Sequence, residues 1–471
     1  MPTADPSTGS PLEPTPNATL AAAHSAARPA RRASTADRAG WLRALATALD
    51  GAADTLVPLA QRETRLPEPR LRGELSRTTF QARLLADRLE AGALDDARID
   101  HADPDWPMGA RPDIRRTLVP IGPVLVFAAS NFPFAFSVAG GDTVSALAAG
   151  CPVVVKAHPG HPELSRRTAE LVAEALAGAG APDGLLGLIE GEEAGALAVQ
   201  DPRIRAVGFT GSTRGGSFLH HLAASRPDPI PFYGELGSTN PVVVTPAGWA
   251  ERAEEIAEGF AGSYTLGSGQ FCTQPGVVFV PDADAFLAAV PDRATGPMLN
   301  ARIEDGYRET LDSLAGHPGV QVAVRRTGEA GTPDTVLLRT SAEAVIKDPT
   351  LLSTEVFGPA SLVVEYGDLA EVTEALDGLQ GSLTGTVQGG ADLDRDGARL
   401  VELLAERVGR VLWNDWPTGV TVSDAQQHGG PWPASTAPTT TSVGTAAVRR
   451  FQRPVAYQNV PAPALPVELR E

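Results

Sequence analysis

The sequence predicts an α/β protein with two parallel-sheet domains, and three observations carry that expectation. Short apolar runs, Val124-Leu125-Val126-Phe127, Val153-Val154-Val155 and Ala206-Val207-Gly208-Phe209, are each followed by a segment of helical periodicity, the pattern of βαβ units buried on both faces. A second series of the same kind begins at Val242. The chain has 471 residues, 42% of them hydrophobic, which is enough for more than one large core.

Taken in order, residues 1–17 are rich in Pro, Thr and Ser without periodicity and read as a mobile tail. From 18 to 94 the pattern is helical: Leu42, Leu45 and Leu49 recur at i, i+3 and i+7, and Phe80 with Leu84 and Leu85 with Leu89 pair at i, i+4. The first strand series carries helices near 138–149, 163–177 and 213–224. The second runs Val242-Val243-Val244, a helix near 249–262, a strand at 277–280, Leu362-Val363-Val364, a helix near 369–376 and Arg410-Val411-Leu412. The boundary between the two sets falls near Gly237. Residues 433–445, rich in Thr, Ser and Pro, form a loop, while 448–460 has strand-forming residues and no following helix. An orphan strand of that kind adds to an edge elsewhere in the chain or in another subunit.

The balance of 39 Lys+Arg against 57 Asp+Glu gives a net charge of −18, which works against binding nucleic acid or anionic lipid. Two cysteines, Cys151 and Cys272, make no disulfide framework and read as reduced thiols of a cytoplasmic protein. The start of the chain lacks an export signal, and no apolar run is long enough to span a membrane.

Four local constellations carry chemistry. Phe209-Thr210-Gly211-Ser212-Thr213-Arg214-Gly215-Gly216 lies between a strand and a helix, where free N–H groups seat a pyrophosphate; a purely structural turn has the same look. In Gly267-Ser268-Gly269-Gln270-Phe271-Cys272-Thr273 the cysteine sits on a Gly-flanked loop, as a reactive thiol requires, against the alternative of an inert packing thiol, which Cys151 fits. Glu235, between Phe232-Tyr233-Gly234 and Leu236-Gly237, is a carboxylate whose desolvation suits a general base, or else a helix-capping acid. Asn131, in Ala129-Ser130-Asn131-Phe132-Pro133-Phe134 at the carboxyl end of a strand, is placed to donate to an oxyanion or simply to make a turn. No metal is expected: His158 and His161 lack further ligands, are separated by Pro159 and read as a surface loop.

In order and type along roughly residues 35–460, these motifs resemble the aldehyde dehydrogenase superfamily. The matching stretches are Ser130-Asn131-Phe132-Pro133, 153–156, 208–212, Glu235-Leu236-Gly237, Gln270-Phe271-Cys272-Thr273 and Glu355-Val356-Phe357-Gly358-Pro359. The resemblance implies two Rossmann-type α/β domains plus a small β oligomerisation element. The dinucleotide-binding domain would comprise 18–101 and 121–236, the catalytic domain 237–447 and the bridging element 102–120 with 448–460, whose strand would lie in a neighbouring subunit of a homodimer or homotetramer. It further implies Cys272 as nucleophile, Glu235 as general base and Asn131 as oxyanion donor, with Lys156 on the adenosine ribose, Gly211 and Ser212 at the pyrophosphate, Glu355 on the nicotinamide ribose and Phe357 packed beside it.

Within the superfamily, the stretches 156–162, 231–238, 416–419 and 428–431 look like the 2,5-dioxovalerate (α-ketoglutarate semialdehyde) dehydrogenases and the NADP-dependent aldehyde dehydrogenases related to them. The implied reaction is oxidation of an aldehyde, 2,5-dioxovalerate or another semialdehyde, to the acid through a cysteine thiohemiacetal and thioester. NAD(P)+ is the implied cofactor, with a slight lean to NADP+. Ala157, His158 and Pro159 offer no carboxylate to repel a 2′-phosphate, yet Glu192-Glu193 stand where an Arg would favour one. A rival from another class is a cofactor-independent cysteine hydrolase or thioesterase using Cys272 with His428 as base.

Overall fold

The computed structural model describes residues 16–329 and 331–470. Of the expected tail, residues 1–15 lie outside the described residues, and the next two open the first helix. Four helices, Pro16–Arg32, Thr35–Gly51, Ala53–Thr64 and Glu68–Glu90, form the expected helical layer. Ser34 starts the second with a capping box, its hydroxyl accepting from the Asp37 N–H while the Asp37 carboxylate accepts from the Ser34 N–H at 2.9 Å. Leu42, Leu45, Leu49, Leu85 and Leu89 are buried in this layer, but Phe80 is 52% exposed: the fourth helix turns Leu71, Leu75, Ala82 and Leu85 inward and leaves Phe80 on its outer face.

Numbered along the chain, β1 (Arg98–Asp100) and β2 (Ile114–Pro120) precede a five-stranded sheet of β3 (Val124–Phe127), β4 (Val153–Lys156), β5 (Leu186–Ile189), β6 (Ala206–Thr210) and β7 (Phe232–Glu235). Its order is β5-β4-β3-β6-β7 and every pairing is parallel. The direction of winding reverses between β3 and β6, which opens a crevice above their carboxyl ends, the place where open α/β sheets take ligands. β3 and β4 are buried at every residue, as their unbroken apolar runs require.

A seven-stranded sheet follows, built from β8 (Val242–Val244), β9 (Val277–Val280), β10 (Gln321–Arg326), β11 (Thr335–Ser341), β12 (Ala360–Glu365), β13 (Ser382–Gln388) and β14 (Val408–Trp413). Its order is β10-β11-β12-β9-β8-β13-β14, parallel throughout except for the antiparallel β10–β11 edge. The third sheet is antiparallel, ordered β1-β2-β15, with β15 (Gln452–Gln458) paired along its length with β2, from Gln452 opposite Pro120 to Gln458 opposite Ile114. The orphan strand thus finds one partner within this chain, and no strand among the described residues covers its other edge.

Between β14 and β15 the chain returns to the first sheet. The Leu236 N–H donates to the Ala434 carbonyl at 2.8 Å and the Thr436 N–H to the Gly234 carbonyl at 3.1 Å, so residues 434–436 line the free edge of β7. Residues Thr445–Phe451 then pack on the helix Gly141–Ala149 of the first domain. The histidine pair departs from its expected surface loop. His161 is fully buried at the start of the helix Pro162–Gly178, its ring nitrogens held by the Ser165 hydroxyl at 3.1 Å and the Ala129 carbonyl at 2.9 Å. Two polar partners make that burial tolerable, which spacing alone could not reveal.

Candidate active site

A cleft of about 580 Å³ runs along the carboxyl ends of β3, β4, β6 and β7, and Asn131, Lys156, Gly211, Ser212, Glu235, Cys272, Glu355, Phe357 and His428 all line it. Both sheets' domains contribute. Ser212 is the N-cap of the helix Thr213–Ala224, with its hydroxyl accepting from the Gly215 N–H at 3.3 Å. Lys156, the last residue of β4, is 7% exposed and makes no ion pair among the described residues; burial pulls its ammonium below the usual lysine range. At the rim, Glu192 is paired with Arg302 at 2.9 Å, and both are exposed.

Cys272 follows a loop in which Gly267, Ser268 and Gly269 all have positive φ, at 57°, 56° and 67°. At Gly269 a side chain would overlap the Gly358 carbonyl, so glycine is required for the cysteine loop to lie on the Glu355–Pro359 stretch. Asn240 ties the loop down from beneath, its amide donating to the Cys272 and Gln274 carbonyls, each at 2.8 Å. The thiol is half-buried and approaches His428 Nε2 at 3.6 Å. Burial, with Glu355 and Glu235 nearby, pushes it up to about 12. His428 is held down to about 3 by burial and by Arg410, Arg77 and Arg450, so thiol and imidazole are both neutral at rest. Asn131 spends one amide hydrogen on the Gln270 carbonyl at 3.0 Å and keeps the other.

Glu355 turns its carboxyl group against the backbone at Gly237, where a Cβ would come within 2.5 Å of its Oε2; burial pushes it up to about 7. Glu235 ends β7 almost fully buried, and burial pushes it too up to about 7, against the pull of Arg450. Arg450, fully buried, donates to Glu235 Oε1 and, at 3.3 Å, to Asp142 Oδ1. Neither Arg450 nor Asp142 was legible as a site residue, since nothing local marks a pairing made across 215 or 308 positions. Arg450→Leu should therefore cost about 3–5 kcal/mol, because it leaves two carboxylates buried without a counter-charge. The thermal midpoint should fall steeply at pH 8 and less at pH 5, where the carboxyl groups can take up protons; equal losses at both pH values would refute the charge argument.

Cys151 is the inert thiol. It is fully buried and donates to the Phe451 carbonyl at 3.3 Å.

The sequence profile described as the aldehyde dehydrogenase family matches residues 1–437. The chain belongs to the aldehyde dehydrogenase family. Among curated relatives of this family member, alpha-ketoglutaric semialdehyde dehydrogenase 2 of Azospirillum brasilense is 46% identical over 449 residues, covering 93% of this chain and 85% of the relative. The alpha-ketoglutaric semialdehyde dehydrogenase of Acinetobacter baylyi is 41% identical over 447 residues, 92% of this chain and 84% of that one. The branch suggested by residues 156–162 and 428–431 is thus the one to which the chain is similar. Among solved structures, the NAD-dependent aldehyde dehydrogenase from Sinorhizobium meliloti superimposes with a TM-score of 0.79 at 22% identity, covering 96% of this chain and 88% of that one. The 1-pyrroline-5-carboxylate dehydrogenase from Thermus, solved with bound NAD, also gives 0.79 at 22% identity, over 94% and 85%. This family member has the aldehyde dehydrogenase fold, and the activity of its family is aldehyde oxidation with a nicotinamide cofactor.

Proposed function

We propose that this chain oxidises 2,5-dioxovalerate or another semialdehyde to the corresponding acid, with NAD(P)+ as cofactor and Cys272 as the covalent nucleophile. The observation that carries the reading is the convergence of Cys272, Asn131 and Glu235 in the same cleft as Lys156, Ser212 and Glu355. The donor set fits a dinucleotide: a buried ammonium free of ion pairs, a Gly-rich helix start whose Gly211 leaves no side chain over the N–H groups, and a carboxyl group for a ribose hydroxyl. Lys156 and Glu355 would hold the two riboses, Gly211 and Ser212 the pyrophosphate, and Phe357 one face of the nicotinamide, whose chemistry is to accept a hydride.

The chain's own residues do the rest. The Cys272 thiol gives its proton to water in the cleft as the sulfur adds to the aldehyde carbon, and the resulting alkoxide accepts hydrogen bonds from the spare Asn131 amide N–H and the Cys272 backbone N–H. Once oxidised, the acyl group remains on Cys272 as a thioester. Glu235, with a pKa of about 7, is partly ionised at neutral pH and takes a proton from the water that cleaves it.

The rim bears on the choice between NAD+ and NADP+. Arg302 is a cation suited to a 2′-phosphate, but Glu192 occupies it. Glu192→Gln should raise kcat/KM for NADP+ relative to NAD+ by about threefold, a small factor because the pair is solvated; steady-state assays with both cofactors check it, and an unchanged ratio would remove Arg302 from cofactor choice.

Two further parts of the reading concern setting and assembly. Both cysteines are free thiols, which supports a cytoplasmic placement. The open edge of β15 supports a homodimer or homotetramer, which light scattering on the purified chain would test. The 3.6 Å Cys272–His428 contact is the one observation that favours a cofactor-independent hydrolase. Such an enzyme needs an imidazole that charges readily, and His428 is held far below that range. Ester cleavage without NAD(P)+ that vanishes in His428→Ala would establish that rival instead. For the main reading, the decisive assay is NAD(P)H formation from a panel of semialdehydes and aliphatic aldehydes with each cofactor.

A further inference from the structure

An aromatic cluster walls the reactive cysteine. Phe271 meets Phe132 edge-on with centroids 5.2 Å apart, Phe132 meets Phe136 at 5.3 Å, and Phe136 lies 6.3 Å from the His428 ring that touches Cys272. Two guanidinium groups from the helix Glu68–Glu90 rest on these rings: Arg70 at 5.0 Å from Phe132 and 4.6 Å from Phe271, and Arg77 at 5.4 Å from Phe136. Seven positions apart, they share one helical face.

Their hydrogen-bonding states differ. Arg70 donates through one terminal nitrogen to the Asn131 carbonyl at 2.7 Å. Arg410, on β14, donates to the Pro417 and Gly419 carbonyls at 2.7 and 3.0 Å. Arg77 spends only its Nε, on the Val420 carbonyl at 3.4 Å, and both of its terminal nitrogens are buried with no hydrogen-bond partner among the described residues. Its acidic neighbour Glu74 acts on it through charge but makes no hydrogen bond to it: Glu74 Oε1 accepts from the Phe134 and Ala135 N–H groups at 2.7 and 3.0 Å, Oε2 has no hydrogen-bond partner among the described residues, and burial pushes that carboxyl group up. A buried guanidinium with both prongs unpaired is costly in the resting enzyme and is relieved by a planar anion that takes both N–H groups at once. A chain of contacts joins Cys272 to Arg77, from the sulfur to His428 at 3.6 Å, His428 to Phe136 at 6.3 Å and Phe136 to the guanidinium at 5.4 Å, and these aromatic faces suit a short methylene chain.

We propose that Arg77 is the specificity-determining residue of this site, binding the distal carboxylate of a short oxo-acid whose aldehyde carbon reaches Cys272. The assignment rests on the aldehyde-oxidising reading of the cleft and names the substrate class within it: aldehydes with a carboxylate at the far end, preferred over neutral aldehydes of equal length.

The test compares kcat/KM for 2,5-dioxovalerate and for pentanal in the wild type, Arg77→Met and Arg77→Lys. The wild type should prefer the carboxylated aldehyde. Arg77→Met should lower the ratio of the two values about 100-fold, mainly through KM for 2,5-dioxovalerate, the loss expected when one member of a buried charge pair is removed. Arg77→Lys, which keeps the charge but not the fork, should fall in between. An unchanged ratio in either variant overturns the assignment. Should Arg77→Met fail to fold, glutarate decides the matter: it should inhibit wild-type pentanal oxidation competitively and inhibit Arg77→Lys less, and absence of competition overturns the anchor. A wild type that oxidises both aldehydes equally well sinks Arg77 alone, whereas one that oxidises neither with NAD+ or NADP+ sinks the proposed function and the anchor with it.

Discussion

Replacing Cys272 with serine is expected to abolish aldehyde-dependent NAD(P)H formation, by roughly a thousandfold or more, while leaving the affinity for NAD(P)+ within about threefold of wild type. Serine fits the space of the thiol, and the loop that presents it is fixed by Asn240 and by the three left-handed residues before Gln270 rather than by the sulfur. What is lost is nucleophilicity, since a hydroxyl group in this desolvated site ionises even less readily than the thiol it replaces. Single-turnover assays should show no pre-steady-state NAD(P)H, and cofactor titration by fluorescence should show a near-normal Kd. A collapse of cofactor binding in Cys272→Ser would mean that the sulfur is a structural element of the cleft.

Glu235→Gln should separate the two halves of the reaction. Glutamine can still donate to its surroundings and accept from Arg450, but it cannot take a proton from water, so the first turnover proceeds and the acyl group stays on Cys272. A burst of NAD(P)H close to one equivalent per site, followed by a steady rate roughly 100-fold below wild type, is the expected record. The pH dependence has a definite sign. Burial raises Glu235 to about 7, and a base works only when unprotonated, so wild-type turnover should climb through neutral pH and fall away below it, a limb absent from the residual rate of the variant. A variant with an undiminished steady state would reject the general-base role.

How much of this was legible in the sequence depends on the range over which each feature is encoded. β3, β4 and β9 are continuous apolar runs because parallel strands are covered on both faces, and their positions follow from that alone. β10, mostly exposed on an antiparallel edge, and β5, half-exposed, carry no such run and escaped notice. Cys272 and Asn131 each sit in a short motif whose glycines or proline mark the backbone around them. Arg77 is one of several arginines on a long helix and Arg450 follows Arg449 in a short 3-10 helix, and only the fold brings the first onto Phe136 and the second onto Glu235. Glu235 was visible as a desolvated acid, but its partner was not. His161 was misplaced because the hydroxyl and carbonyl that satisfy it come from other turns of the chain.

The late return of residues 434–451 to the first domain sets an order of events during synthesis. A ribosome delivers the whole of the five-stranded sheet more than two hundred codons before Arg450, which lies 215 positions beyond Glu235, emerges from the exit tunnel. Throughout that interval the growing polypeptide carries Glu235 and Asp142 without their cation and β7 without its edge cover. Arg450 thus reaches Glu235 and Asp142 only after the strands of both parallel sheets have been made, and the ion pairs that hold the two carboxylates are among the late contacts of the fold.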